Sequence, residues 1–354
     1  MPPPLSSLTQ QLRDRQDLTT PQVLEAVSAL VEESVPVADK AEFLAALAGK
    51  GETTQEIADF ARTLRELSLA PPLDAATRSR EILDVCGTGG DRLNTFNIST
   101  TVAIVAAAAG ITVAKHGNRA ITSQSGSADV LEALGIRIDL PPPAAAAMLR
   151  DRGFAFLFAP NYHPAFRHLG PARRLCAERG QRTIFNFLGP LLNPARPSAQ
   201  LIGVPRPDLC QPMAQVLQSL GVRRGLVVSG QVPLPSASGN AHLDEFSTLG
   251  PTTLAEFYQD RGFATSTLDP GHFPLQTARL EDLVGGNRDA NAAMVRGILE
   301  GRDRGPRRDA VLLNAAAALL VAGHSRSLAE GWDAAGALID GGQAAAKLAD
   351  LAKS

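Results

Sequence analysis

The chain lacks most of what would mark a secreted, membrane-spanning or nucleic-acid-binding protein. Among its 354 residues there are three cysteines, Cys86, Cys176 and Cys210, too few and too scattered for a disulfide framework. None forms a C-x-x-C pair, and neither they nor the histidines are spaced for zinc, so a reducing cytoplasm is the expected compartment. A formal net charge of −2 excludes bulk electrostatic binding of nucleic acid and leaves only local basic groups for an anionic ligand. The longest apolar runs, 101–114 and 315–322, are too short or too interrupted by glycine to cross a bilayer, so no membrane is expected. Met1-Pro2-Pro3-Pro4 has neither the basic nor the apolar region of a signal peptide. The common nucleotide fingerprints are also missing. Arg92 stands where the last glycine of G-x-G-x-x-G would be, and there is no G-K-[ST].

What is present divides into two parts. Residues 5 to about 70 read as helices only. Thr20-Pro21 reads as an N-cap with proline at the first helical position, and Asp39…Glu42 and Thr53…Glu56 both fit a capping box. Leu69-Ala70-Pro71-Pro72 reads as a linker. From residue 82 strands and helices alternate. Strands are expected at 82–85, 111–114, 136–140, 154–158, 200–204 and 225–228, with helices at 100–109, 128–134, 144–150 and 212–220 between them. The C-terminal part reads as alanine-rich helices at 291–299, 310–322, 328–339 and 344–352. The fold class is therefore α/β: a small all-helical domain (1–71) and a larger α/β domain (72–354) with a mainly parallel central sheet. A helical unit this small is expected to pack against something else, as in a dimer. The stretch 231–242, rich in Ser, Gly and Pro, reads as a flexible loop before an acidic pair.

Gly87-Thr88-Gly89-Gly90-Asp91 followed by Asn97-Ile98-Ser99-Thr100 is the strongest chemical signal. Glycines let backbone N–H groups approach a phosphate, and hydroxyls at a helix start can hold an anion or Mg²⁺. An ordinary tight turn with an ordinary cap fits this pattern about as well when it stands alone. Lys115-His116-Gly117-Asn118-Arg119 follows a short strand at the edge where open α/β sheets bind ligands, though such a turn is more often merely solvated. Asp244-Glu245 could hold Mg²⁺ against phosphate oxygens, but adjacent acids are usually surface. Arg173 could grip a carboxylate, although Arg173-Arg174 also reads as a solvated helix face, and His163 fits a packed loop histidine.

These motifs occur in one order with Gly126-Ser127-Ala128-Asp129, Arg182-Thr183-Ile184-Phe185-Asn186 and Leu188-Gly189-Pro190-Leu191-Leu192-Asn193-Pro194. Together they resemble the anthranilate phosphoribosyltransferases of the tryptophan pathway over essentially the whole chain. The resemblance implies the nucleoside phosphorylase/phosphoribosyltransferase-like fold and a homodimer formed through the small domains, with helices near 165–190 joining them. It implies transfer of a phosphoribosyl group from 5-phosphoribosyl 1-diphosphate (PRPP) to the amine of anthranilate, with release of pyrophosphate. Gly87, Gly90, Asp91, Thr95, Asn97, Ile98, Ser99, Thr100, Lys115, His116, Gly117, Asn118, Arg119, Ser123 and Ser127 would contact PRPP. Gly87, Asn118, His163 and Arg173 would contact anthranilate, Arg173 being preferred because it lies ten residues after His163. Ser99, Asp244 and Glu245 would serve a pair of Mg²⁺ ions in each subunit. No residue stands out as a general acid or base.

Two departures from the family pattern stand out. The link from Arg173 to Arg182 is lengthened by 175–179, which leaves Arg174 as an alternative register. A short His-Gly-x-Gly turn is replaced by Ser229-Gly230 and the loop to His242. A pyrimidine nucleoside phosphorylase would share the architecture, but Asn97-Ile98-Ser99-Thr100 and Lys115-His116-Gly117-Asn118 favour the transferase. A silent homologue that binds nucleic acid would need a basic stripe and decayed phosphate loops.

Overall fold

The computed structural model describes residues 5–120, 124–233, 240–259 and 262–353; Ser123 and positions 234–239 of the expected loop lie outside them. Four helices come first: Leu5–Arg13, Thr20–Val31, Val37–Lys50 and Thr54–Glu66. The last carries the expected capping box, with Thr53 Oγ1 accepting from Glu56 N at 3.2 Å and the Glu56 carboxylate accepting from Thr53 N at 2.8 Å. Two other expected starts move. Thr19, not Thr20, precedes the second helix, because the Gln22 side chain reaches back to accept from Thr19 N at 2.9 Å. Pro21 still falls in the first turn, where no intrahelical donor is lost. Asp39 is not a cap either: that helix starts at Val37, and Asp39 meets its positive end from within the first turn. Val27, Leu30, Phe43, Leu47, Phe60 and Leu64 fill the bundle core, and Leu169, Ala172, Cys176 and Leu188 from later in the chain pack into it.

The larger unit is built on eight strands among the described residues: β1 (Ile82–Gly87), β2 (Thr112–Gly117), β3 (Phe154–Phe158), β4 (Ala199–Gly203), β5 (Arg224–Val232), β6 (Ala241–Leu243), β7 (Thr252–Tyr258) and β8 (Phe263–Leu268). The order is β3-β2-β1-β4-β5-β7-β8, with β6 also on β5. Strands β1 to β5 are parallel, and β5 to β8 pair antiparallel. Successive residues face opposite sides, so Leu201 and Leu226 join the core under the C-terminal helices while Ile202 and Val227 join the core shared with the bundle.

The expected strand at 136–140 is absent. Ile136, Ile138 and Leu140 alternate because they are buried, yet the segment finds no ladder partner among the described residues, and β3 ends the sheet on that side. The antiparallel strands β6 to β8 were not expected. Edge strand β8 reads Phe-Ala-Thr-Ser-Thr-Leu and is largely exposed, so it carries no apolar pattern to find.

Parallel strands end level, and this makes the ledge on which the acidic pair sits. Gly87 at the end of β1 is paired with Gly203 at the end of β4. A Cβ on Gly203 would overlap the Asp244 backbone, and one on Gly87 would overlap the Asp244 carboxylate. Only hydrogen at both positions lets residue 244 lie against the strand ends. Gly203→Ala is therefore expected to destabilise the chain by about 3 kcal/mol in urea unfolding, the usual scale of overpacking. Gly49→Ala, in open space within a helix, is the control and should be stabilising by up to about 1 kcal/mol. Equal effects of the two would contradict this seat for Asp244.

Candidate functional site

Asp244 and Glu245 are pressed onto the carboxyl edge of the sheet, each held by one backbone donor. Gly89 N donates to Asp244 Oδ2 at 2.7 Å, and Ser99 N donates to Glu245 Oε1 at 3.1 Å. Ser99 lies in the first turn of the helix Ile98–Ala108, so Glu245 caps a positive helix end. Lys115 is buried beside them, donating to Val85 O at 2.6 Å and to Ser99 Oγ at 3.3 Å. The glycine loop, the helix start, the lysine and the acids, all singled out from sequence, thus converge on one edge. Burial raises the Asp244 carboxyl, and the charge of Asp91 adds to that; burial and Asp244 together raise Glu245, with Lys115 pulling the other way.

Among the described residues no group of three or more His, Cys, Asp or Glu side chains is spaced to hold a metal alone. The chain offers two hard carboxylates and the Ser99 hydroxyl. That set suits Mg²⁺, which keeps several waters and takes its remaining ligands from a substrate's phosphate oxygens.

The loop residues are placed as follows. Gly90 is exposed in the turn, Asp91 Oδ1 accepts from Leu93 N at 3.2 Å, and Thr95 forms an isolated bridge with Val284. Arg92 and Asn94, between them, both take positive φ (61° and 53°). Asn97 donates to Ser125 O at 3.4 Å and accepts from buried Asn291 at 2.9 Å; Ile98 is buried, and so is Thr100, whose hydroxyl has no partner. Asn118 is exposed, its carbonyl accepting from the Ser127 hydroxyl at 3.3 Å, and that hydroxyl lies over Gly117. Arg119 is held by Asp129 at 2.8 Å and Glu132 at 3.0 Å, with its guanidinium 5.7 Å from the Phe158 ring. A cleft of about 390 Å³ opens there, lined by Arg119, Ile136, Phe158 and Asn161, apart from the acidic pair.

His116 follows Lys115 on β2 and so faces the opposite side of the sheet. Its Nδ1 lies 3.2 Å from Gly189 O, and its Nε2 lies 3.2 Å from His163 Nε2. The carbonyl can only accept, so His116 carries its proton on Nδ1 and presents a bare Nε2, to which His163 donates from its own Nε2. Both rings are neutral. Burial lowers His116 to about 3, helped by His163, and lowers His163 to about 4 against a smaller pull from the Leu192 carbonyl. His163 stacks on Phe166 at 5.0 Å, Phe166 meets Phe185 edge-on at 5.7 Å, and the Arg173 guanidinium lies 5.2 Å from the Phe185 ring centre. Arg173 is half-buried there and Arg174 is exposed.

Sequence reasoning missed several supports. Asp84 is fully buried in β1, held near about 6 by burial against the pull of Lys115, and accepts from His116 N and from Asn193 Nδ2 (2.8 Å). Its signal was a lone carboxylate inside an apolar strand. Gly203, Asn291, Phe166 and Phe185 had no comparable signal.

The family described as glycosyl transferase family, a/b domain, matches residues 79–345, and the glycosyl transferase family, helical bundle domain, matches 6–68. An anthranilate phosphoribosyltransferase of Herpetosiphon aurantiacus is 46% identical over 331 residues, 94% of this chain and 93% of its own. The crystal structure of anthranilate phosphoribosyltransferase from Thermus thermophilus superposes with a TM-score of 0.86 at 40% identity, covering 98% of both chains. That of the Saccharomyces cerevisiae enzyme in complex with PRPP and Mg gives 0.84 at 28% identity, covering 99% of this chain and 98% of that one.

The acidic pair makes stability depend on pH with a definite sign. Both carboxyls titrate above their ordinary values of 3.8 and 4.5, so the folded chain holds more protons than the unfolded one, and stability falls as pH rises through that window. The buried histidines act oppositely, but only below their ordinary 6.5, and comparing variant with wild type cancels them. Glu245→Gln is expected to raise the metal-free Tm at about pH 8 by roughly 2–4 °C, and by much less near pH 5. It should also lose the Tm gain given by Mg²⁺. A shift equal at both pH values would contradict the crowding of charge.

Proposed function

The chain belongs to the anthranilate phosphoribosyltransferases, and from that premise we infer that it transfers the phosphoribosyl group of PRPP to the amine of anthranilate. The products are N-(5-phosphoribosyl)anthranilate and pyrophosphate, in tryptophan biosynthesis. The observation that carries this reading is the convergence of Asp244, Glu245, Ser99 and Lys115 on the edge that carries the glycine loop.

As the C1–O bond of PRPP lengthens, negative charge grows on pyrophosphate and positive charge on the ribose. Lys115 and the N–H groups of the glycine loop and helix start stabilise the pyrophosphate side. Bound Mg²⁺ supplies Lewis-acid stabilisation of the same leaving group, and Asp244, Glu245 and Ser99 would hold a pair of ions in each subunit. Anthranilate is a weakly basic aniline, so alignment counts for much of the rate. Arg173, stacked on Phe185, is the fork for its carboxylate, with His163, Asn118 and Gly87 around the ring; His116, expected on PRPP, is instead turned to His163 on this side, and the other loop residues from Gly90 to Ser127 contact PRPP. Its half-burial supports Arg173 over exposed Arg174. The helical unit up to residue 71 serves dimerisation, and its exposed Leu24, Val37, Leu67 and Leu69 support that role. The three free thiols suit the cytoplasm.

Loss of anthranilate fluorescence in the presence of PRPP and Mg²⁺ tests the reaction; no loss at any Mg²⁺ concentration overturns it. Alanine at both Asp244 and Glu245 should remove most turnover and alter its Mg²⁺ dependence. Arg173→Ala should raise the anthranilate KM about 10- to 100-fold, the scale of a lost charge-assisted pair, and leave the PRPP KM nearly unchanged. Arg173→Lys should fall between. A large effect from Arg174→Ala and none from Arg173→Ala would move the assignment by one residue.

A further inference from the structure

Arg65, in the helix Thr54–Glu66, is buried to 6% exposure, has no role assigned above, and its charge reaches His116 and Asp84. Its Nε donates to Leu191 O at 2.7 Å, its Nη2 is buried with no partner, and no carboxylate pairs with it among the described residues. Burial pulls the guanidinium down to about 10, with the charge of Arg196 acting in the same sense and that of Asp84 opposing it. A buried cation with no carboxylate in hydrogen-bond contact is a poor stabiliser, and an apolar side chain would hold the two units together better. What the guanidinium gives that an apolar residue cannot is direction, fixed at one carbonyl.

That carbonyl belongs to a segment tied to its surroundings through several of its polar groups. In Gly189–Leu192, a 3₁₀ turn, Gly189 O faces His116 Nδ1 at 3.2 Å and Pro190 O accepts from Gln200 Nε2 at 3.0 Å. Asn193, next in the chain, donates to Asp84 Oδ2 at 2.8 Å and to Ala114 O at 2.7 Å. Only Pro190 separates the carbonyl held by Arg65 from the one that sets the His116 proton, and through it the His163 proton.

We propose that Arg65 is a positioning residue of the helical unit: by fixing the Leu191 carbonyl it holds the 189–193 turn, and so the orientation and tautomers of the His116–His163 pair on the anthranilate side. This rests on the acceptor assignment above. Arg65→Met, close in volume, is the main variant, with Arg65→Lys keeping a donor for the same carbonyl. The anthranilate KM of Arg65→Met is expected to rise about tenfold while the PRPP KM stays within about twofold, as for loss of acceptor binding alone. Arg65→Lys should show a smaller split. The ¹⁵N imidazole spectrum should lose the Nδ1–H form of His116 in Arg65→Met and keep it in Arg65→Lys. Should Arg65→Met not fold, the split in Arg65→Lys decides. Unchanged KM values, or both KM values and kcat moving together with an unaltered imidazole spectrum, overturn the proposal. Arg173→Ala separates the two failures. If it raises the anthranilate KM and the Arg65 variants do not, the acceptor site stands and this inference falls; if it has no effect, the acceptor assignment fails and this inference falls with it.

Discussion

Two missing methyl groups govern the site. Gly87 and Gly203, paired across β1 and β4, leave a gap that the chain at Asp244 fills, and no other residue would leave it. From that seat Asp244 reaches the glycine loop, Glu245 reaches the start of the helix Ile98–Ala108, and Glu245 comes under the influence of Lys115. The consequence is electrostatic. Two carboxylates are taken out of water with two backbone donors and one lysine to offset them, which leaves them poised for a cation. A polyphosphate bound with Mg²⁺ would supply that charge and meet the helix end as well. The gap, the buried acids and the donor preference are one feature seen at three scales.

The alternation of a single strand divides the labour. Lys115 and His116 are neighbours on β2, so one points to the acidic ledge and the other to the neutral histidine pair on the opposite side. Asp84 lies between them in effect, bonded to the backbone of His116 and drawn down by Lys115. The charged side is organised by glycine loops and a helix end, and the neutral side by aromatic stacking from His163 through Phe166 and Phe185 to Arg173. A charged donor and a small aromatic acceptor need such different surroundings, brought together at one edge.

The fold class and most elements were legible because helical spacing and short apolar runs are local. So were the glycine loop and the Lys115–Arg119 turn, whose residues are consecutive. Thr19 was missed for Thr20 because only the reach of the Gln22 side chain separates them. The segment 136–140 alternates like a strand, but burial without a partner gives the same pattern. Supports that act across the chain were not legible: Asn291 lies 194 residues from Asn97, and Asn193 lies 109 from Asp84. Spacing from His163 favoured Arg173 over Arg174 without separating them, and the contact of half-buried Arg173 with the Phe185 ring supports the same choice.

The central claim is that the fold keeps Asp244 and Glu245 crowded until a metal relieves them. Calorimetry of Mg²⁺ with PRPP, repeated in buffers of different ionisation enthalpy near pH 7, counts the protons released on binding. Raised carboxyls give up protons to a metal, so net proton release on binding is predicted, and less of it in Glu245→Gln. Binding with no proton release, the same in wild type and Glu245→Gln, would contradict it.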